Sequence, residues 1–371
     1  MMAPRPVGDV PELAVFLPSL AGGGAERVML DLIAALVGQG RSVELVLASR
    51  HGALADEVPD GVSVVDLRQP RTVTAVVPLT RYLRRRRPAA LLATLEHANV
   101  VALLAGRLAG GVRVSVREAN TLSRDLAQGP PRSRAVLWLM RRLYPRAHAL
   151  IAVSQGVADD LVRELRLPGQ RVTVIPNPVI TPRLEAGANT PLPHPWFAAG
   201  APPVVLGVGR LTRQKGFDVL VHAFALARQR RACRLMLLGD GEDREALERL
   251  ARELGVHDEV ALPGFAANPF AYMARAGTFV LSSRWEGLPN ALIQAMALGV
   301  PAVATDCPSG STEVLAGSAR ATLVPVGDSE AMAAAIVTAL SAGRGPQPEA
   351  WRRRYLLDDV ARRYLATVGV P

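Results

Sequence analysis

The stretch from Thr278 to Thr305 constrains the fold most. Thr278–Leu281 reads as a short buried strand and gives way to the polar loop Ser282-Ser283-Arg284-Trp285-Glu286-Gly287. Pro289 then stands where the first turn of a helix tolerates a residue without an N–H. Leu288, Leu292, Ala295, Met296 and Leu298 recur at helical spacing, and Gly299 closes the helix before Pro301. Ala302–Thr305 is a second strand, followed by an Asp-Cys-Pro-Ser-Gly loop. Strand, polar loop, helix start and strand is the layout of a nucleotide site at the carboxyl edge of a parallel sheet. The N–H groups of Leu288, Asn290 and Ala291 are expected to be unpaired at that helix start. With the positive end of the helix dipole they would receive a diphosphate.

At these residues the chain resembles the retaining sugar-nucleotide glycosyltransferases of family 4. The resemblance rests on Glu286, Gly287, Ala295, Met296, Ala297, Gly299 and Pro301. It implies an α/β chain of two facing Rossmann-like domains (GT-B architecture), with parallel sheets flanked by helices. In the family the first Glu touches the donor sugar, here Glu286, and a second acid eight residues on holds the ribose hydroxyls. That second position is Gln294, which keeps an acceptor and loses the charge, so weaker ribose binding is expected. Glu286 standing at a helix start is also explained by the dipole alone.

A chain of 371 residues is about two domains' worth, and 49% apolar with 20% charged residues is ordinary globular composition. Two distant cysteines, Cys233 and Cys307, give neither a disulfide framework nor a metal-ligand spacing. The first apolar run, Leu13–Leu20, is short and broken by Pro18, unlike a signal peptide. The window 89–109 contains Glu96, His97, Asn99 and Arg107, which argues against a spanning helix. The expectation is a cytoplasmic protein, peripheral on the inner face of the cytoplasmic membrane.

The net charge of +10 is uneven: residues 1–180 carry 23 Arg against 15 acids, residues 181–371 carry 20 basic groups against 18 acids. A basic first half points to an anionic partner, a lipid surface above all, or to a merely solvated Arg-rich surface. The run Arg84-Arg85-Arg86-Arg87 exceeds what capping a helix end requires and is read as a membrane contact.

In chain order, Leu13–Pro18 reads as the opening strand, followed by Gly22-Gly23-Gly24-Ala25-Glu26-Arg27 and a helix to about Gly38. Gly23 and Gly24 match the family's first loop, so they are expected to line the donor cleft. His97, after the strand Leu91–Leu95, is a candidate acceptor-side base or a hydrogen-bonded structural histidine. Where many family members carry a histidine near the next strand's end, this chain has Arg117-Glu118. Asn120 is a candidate for the acceptor side or for a helix cap.

The first domain is placed at 1–180, a Pro/Gly/Ala-rich linker at 181–203, the second domain at 204–345, and a terminal helix at 346–371. That helix, Trp351–Leu365, is expected to cross back to the first domain, as the resemblance implies. Gly209-Arg210-Leu211 through Lys215-Gly216 match the family's diphosphate-gripping loop. Lys215 is the only lysine in the chain; the other 42 basic residues are arginines. A compact ammonium beside a planar guanidinium is a physical reason to keep it. Gly264 and Phe265 are base-side candidates by the same resemblance, and a plain loop also accounts for Phe265. Asp240 and Asp243 suit a helix start as well as a metal, and with no Asp-x-Asp signature at a strand end no metal or other cofactor is expected.

The reading is a glycosyltransferase moving a hexose or N-acetylhexosamine, UDP-linked, to a lipid-linked or polysaccharide acceptor in bacterial glycan assembly. The resemblance implies retention, with Arg210 and Lys215 stabilising the departing diphosphate and Glu286 orienting the sugar. Gly287, Leu288, Asn290 and Ala291 complete the donor side. A sugar-nucleotide epimerase of the same architecture is one alternative. A basic nucleic-acid binder is another, although aromatics are 4% and not interleaved with the arginines, so nucleic acid is not expected.

Overall fold

The computed structural model describes residues 10–124 and 133–370. The chain divides into two compact units, Met1–Pro178 with Leu357–Pro371, and Val179–Leu356.

The first unit is built on seven parallel strands: β1 Leu13–Leu17, β2 Val43–Leu47, β3 Ser63–Asp66, β4 Ala90–Thr94, β5 Arg113–Glu118, β6 Leu150–Ala152 and β7 Val172–Val174. Their order is β3-β2-β1-β4-β5-β6-β7, with Leu13 opposite Val43 on one side and Ala90 on the other. Every residue of β1, β2 and β4 is buried, the signature of a sheet covered by helices on both faces. Between β1 and β4 the strand order reverses, which opens a crevice at their carboxyl ends.

The second unit repeats the plan with six parallel strands: β8 Val204–Val208, β9 Arg234–Leu238, β10 Val260–Gly264, β11 Thr278–Leu281, β12 Ala302–Thr305 and β13 Ala321–Val324. The order β10-β9-β8-β11-β12-β13 reverses between β8 and β11. The α/β expectation of two parallel sheets flanked by helices therefore holds.

Two boundaries differ from the sequence reading. Residues 181–203 form no free linker: Thr181 caps the helix Pro182–Ala188 by accepting from the Leu184 N–H, and this helix packs on Pro269–Met273 within the second unit. The expected single terminal helix is two, Glu349–Arg353 and Leu357–Val368. The first stays with the second unit, where the Trp351 indole donates to the Val314 carbonyl at 2.6 Å. The second belongs to the first unit and sinks Val360, Ala361, Tyr364, Leu365 and Val368 into its core. Each buried Val or Leu among them stabilises by about 1.5–3 kcal/mol.

Candidate active site

In the second unit, the loops after β8 and β11 leave the sheet at its switch point. A 3-10 turn, Arg213–Lys215, ends at Gly216, whose φ of 61° starts the helix Phe217–Arg230. A Cβ on Gly216 would lie 2.2 Å from the Ser282 carbonyl oxygen, so no other residue fits there. The two loops are sewn together by the Ser282 hydroxyl donating to the Lys215 carbonyl (2.7 Å), the Arg284 N–H to the Gln214 carbonyl (2.7 Å) and the Gln214 amide to the Trp285 carbonyl (3.0 Å).

This stitching sets Lys215 against Glu286. The Lys215 Nζ lies 2.6 Å from Glu286 Oε1, and the Ser283 hydroxyl donates to the same oxygen at 2.6 Å. The Glu286 side chain is 7% exposed and that of Lys215 20%, so the ion pair is poorly screened. Arg210 is exposed, and among the described residues no carboxylate pairs with it. One partly free guanidinium and one ammonium held by a buried carboxylate thus share a sheet edge.

The helix that follows is Asn290–Ala297, with Pro289 as its N-cap residue and Gly299 (φ 75°) beyond its end. One part of the expected anion site is corrected here. The Asn290 N–H donates to the Leu288 carbonyl at 3.0 Å, because the turn at Pro289 folds the backbone back on itself. Asn290 therefore does not offer its amide to a diphosphate in this conformation. Gly287 and Leu288 are buried, and Ala291 and Gln294 are half-buried on the helix. Gly264 ends β10 with φ 90° and accepts from the Gly239 N–H at 2.8 Å, while Phe265 beside it is 84% exposed.

Beside these loops, Arg284 grips Asp218 through two bonds of 2.9 and 2.6 Å, and a cleft of about 620 Å³ opens past them between Phe217–Arg230 and Arg244–Glu253. Burial pushes the Asp218 carboxyl up, but Arg284 and backbone N–H groups outweigh it and hold it below the usual aspartate range. Asp240 accepts from the Gly241 N–H at 2.9 Å and pairs with Arg244 at 3.2 Å, a local role. Among the described residues no group of three His, Cys, Asp or Glu is placed to hold a metal ion.

In the first unit, a pocket of about 320 Å³ lies at the switch point, lined by Pro18, Thr72, Glu96, His97, Glu118 and Asn120. His97 stands exposed in the first turn of the helix Glu96–Ala109, and Asn120 is exposed just after β5, so the two acceptor-side candidates share this pocket. Gly23 is the N-cap residue and Gly24 the first residue of the helix Gly24–Gly38, both exposed.

Arg117 and Glu118 part ways at the end of β5. Arg117 is fully buried: its guanidinium donates to the Tyr364 hydroxyl (3.0 Å), to the Thr94 hydroxyl (2.8 Å) and to the Asn177 side chain. It anchors the returning helix. Glu118 turns to the pocket side, accepting from the Asn99 amide at 2.8 Å and from the Tyr144 hydroxyl. Burial raises the Tyr144 phenol well above its ordinary range, and the neighbouring Glu118 charge adds to the rise. Sequence reasoning named Glu118 without giving it a place; strand alternation after Arg117 was the available signal.

Of the arginine run read as a membrane contact, Arg84 and Arg87 are exposed and Arg86 is half-buried. Arg86 pairs with Glu44, which is 5% exposed and also accepts from the Tyr82 hydroxyl at 2.6 Å. Arg84 donates to the Leu108 carbonyl at 2.8 Å, and Arg87 is a left-handed helix cap. Arg85 is exposed.

Comparison with known proteins places this geometry. The model described as Glycosyltransferase Family 4 matches residues 22–183, and that described as Glycosyl transferases group 1 matches residues 202–342. An N-acetylgalactosamine-N,N'-diacetylbacillosaminyl-diphospho-undecaprenol 4-alpha-N-acetylgalactosaminyltransferase of Campylobacter jejuni is 26% identical over 339 residues, 89% of this chain and 90% of that one. A lipopolysaccharide core biosynthesis glycosyltransferase of Rhizobium meliloti is 34% identical over 167 residues, 45% of this chain and 47% of that one. Among solved structures, Anabaena Alr3699/HepE in complex with UDP and glucose matches with a TM-score of 0.77 at 19% identity, covering 97% of this chain and all of the other.

Proposed function

The chain belongs to the glycosyltransferases of family 4, and we propose that it transfers a hexose or N-acetylhexosamine from a UDP-linked donor, with retention, to a lipid-linked or polysaccharide acceptor. The observation that carries this reading is the Lys215–Glu286–Ser283 constellation at the switch point of the second sheet, with Arg210 exposed beside it.

Transfer develops negative charge on the departing diphosphate. Arg210 and Lys215 stabilise that charge from fixed positions, and Glu286 accepts from a sugar hydroxyl and keeps the ammonium in place. Backbone around Gly287, Leu288 and Ala291 adds the positive end of a short helix. Gln294 receives the ribose hydroxyls, and Gly264 and Phe265 flank the base. The acceptor hydroxyl attacks on the face the diphosphate leaves, and a donor phosphate oxygen takes its proton, so no enzyme nucleophile is needed. With an α-linked donor, the α linkage named for the Campylobacter relative corresponds to retention. The acceptor occupies the pocket of His97, Glu118 and Asn120, and the reaction runs without a metal at the inner face of the cytoplasmic membrane. Among the described residues no helix is long and apolar enough to cross a membrane, which is consistent with peripheral attachment.

The test is a melting-temperature panel of nucleotide sugars in the presence of EDTA, followed by turnover of the best donor. A UDP-sugar raises the melting temperature, and Arg210→Ala lowers turnover by about a hundredfold with wild-type stability. No stabilisation by any nucleotide sugar, or full turnover in Arg210→Ala, refutes the assignment.

A further inference from the structure

The first unit carries an exposed tryptophan that its fold does not use. The helix Ser133–Leu143 contains no Asp or Glu, and Arg134, Trp138, Arg141 and Arg142 lie on one face at i, i+4, i+7 and i+8. All four are exposed, Trp138 at 57%, whereas Met140, Leu143 and the following Tyr144 on the opposite side are buried and hold the helix to the unit. The Arg142 guanidinium lies 5.2 Å from the Trp138 ring centroid. Arg141 donates to the Glu164 carbonyl at 2.9 Å, and Arg146 donates to the Arg142 carbonyl. Carbonyls orient these side chains without neutralising them: among the described residues none of Arg134, Arg141, Arg142 and Arg146 pairs with a carboxylate.

We propose that this helix is the membrane-contact element of the first unit, with Trp138 seated in the headgroup layer of an anionic bilayer. A large amphipathic ring flanked by unpaired guanidiniums matches the two sources of interfacial binding, apolar insertion and attraction to anionic lipid. The Arg84–Arg87 run presents no exposed aromatic ring and has spent part of its charge on Glu44. The inference gives a place to the membrane attachment proposed above and shares that premise. Vesicle binding is measured without donor or acceptor, so its failure is separable from failure of the transfer reaction.

The experiment is flotation of the full chain with phosphatidylcholine vesicles, with and without about one-third phosphatidylglycerol. Binding to the anionic vesicles alone is expected, with a blue shift of tryptophan emission. Trp138→Ala and the pair Arg141→Glu/Arg142→Glu each lower the partition coefficient about tenfold, while Arg85→Glu stays within about twofold. The melting temperature and its rise with a UDP-sugar are unchanged in Trp138→Ala. Wild-type binding in Trp138→Ala, or a loss in Arg85→Glu as large as in the Arg141/Arg142 variant, overturns the proposal. Salt-sensitive binding of single-stranded DNA with no vesicle binding overturns it in favour of a nucleic-acid surface.

Discussion

Replacing Lys215 by Met and Glu286 by Gln, singly and together, tests the constellation at its centre, because each change deletes a charge and keeps the side chain's bulk. Opposite charges about 4 Å apart attract by about 4 kcal/mol at an effective dielectric constant of about 20, and this pair is closer, at 2.6 Å. Loss of hydration on the carboxylate cancels part of the attraction, leaving a net coupling of about 2 kcal/mol. Lys215→Met strands a buried carboxylate with the Ser283 hydroxyl as its remaining bond; the cost is about 3 kcal/mol. Glu286→Gln costs less, since the amide oxygen still accepts from Ser283 and the ammonium is 20% exposed. The double variant is therefore less destabilised than the two singles combined, by about 2 kcal/mol. Urea unfolding of the four proteins measures this. Additivity within about 0.5 kcal/mol would show that the two groups are neighbours without energetic coupling and that Glu286 does not preorganise the ammonium. Turnover supplies the second readout: Lys215→Met falls by about a hundredfold.

Two more predictions follow from ion pairs elsewhere. Arg86→Ala leaves Glu44 buried with the Tyr82 hydroxyl and destabilises the first unit by about 2–3 kcal/mol, whereas Arg85→Ala stays within about 0.5 kcal/mol; chemical denaturation separates them, and equal effects would contradict the Arg86–Glu44 pairing. The Asp218 carboxyl is held below its ordinary value of 3.8, so its stabilisation is present above that value and lost as pH falls through the lowered folded-state value. The melting-temperature gap between wild type and Asp218→Asn is thus constant near neutrality and closes in acid; a gap that widened on acidification would refute the Arg284 linkage.

What could be read from residues alone was what repeats locally. Alternation of short apolar runs with helical spacing located the strands and helices around Lys215 and Glu286, and Gly299 marked a helix end correctly. Pairing across distance was not legible. Lys215 and Glu286 are 71 residues apart, and the loops that join them are held by backbone carbonyls that carry no side-chain signal. Nothing in the sequence marks Arg117 for the core, where three neutral oxygens from distant residues satisfy it. The stretch 181–203 did contain a helix signal, Thr181 followed by Pro182, but its Pro/Gly/Ala composition outweighed it. The break between Arg353 and Leu357 has no Pro or Gly to announce it.

The helix Leu357–Val368 leaves the amino-terminal unit unfinished through most of translation. Its slot beside the helix Gly24–Gly38 and strands β4 and β5, and the hydroxyl that Arg117 awaits from Tyr364, stay vacant until the whole of Val179–Leu356 has been made. Vectorial synthesis ordinarily lets the earlier unit mature first; here its completion waits for the later one. A nascent chain stalled before Leu357 would hold an apolar trough open to chaperones, and the two units would reach their finished state nearly together.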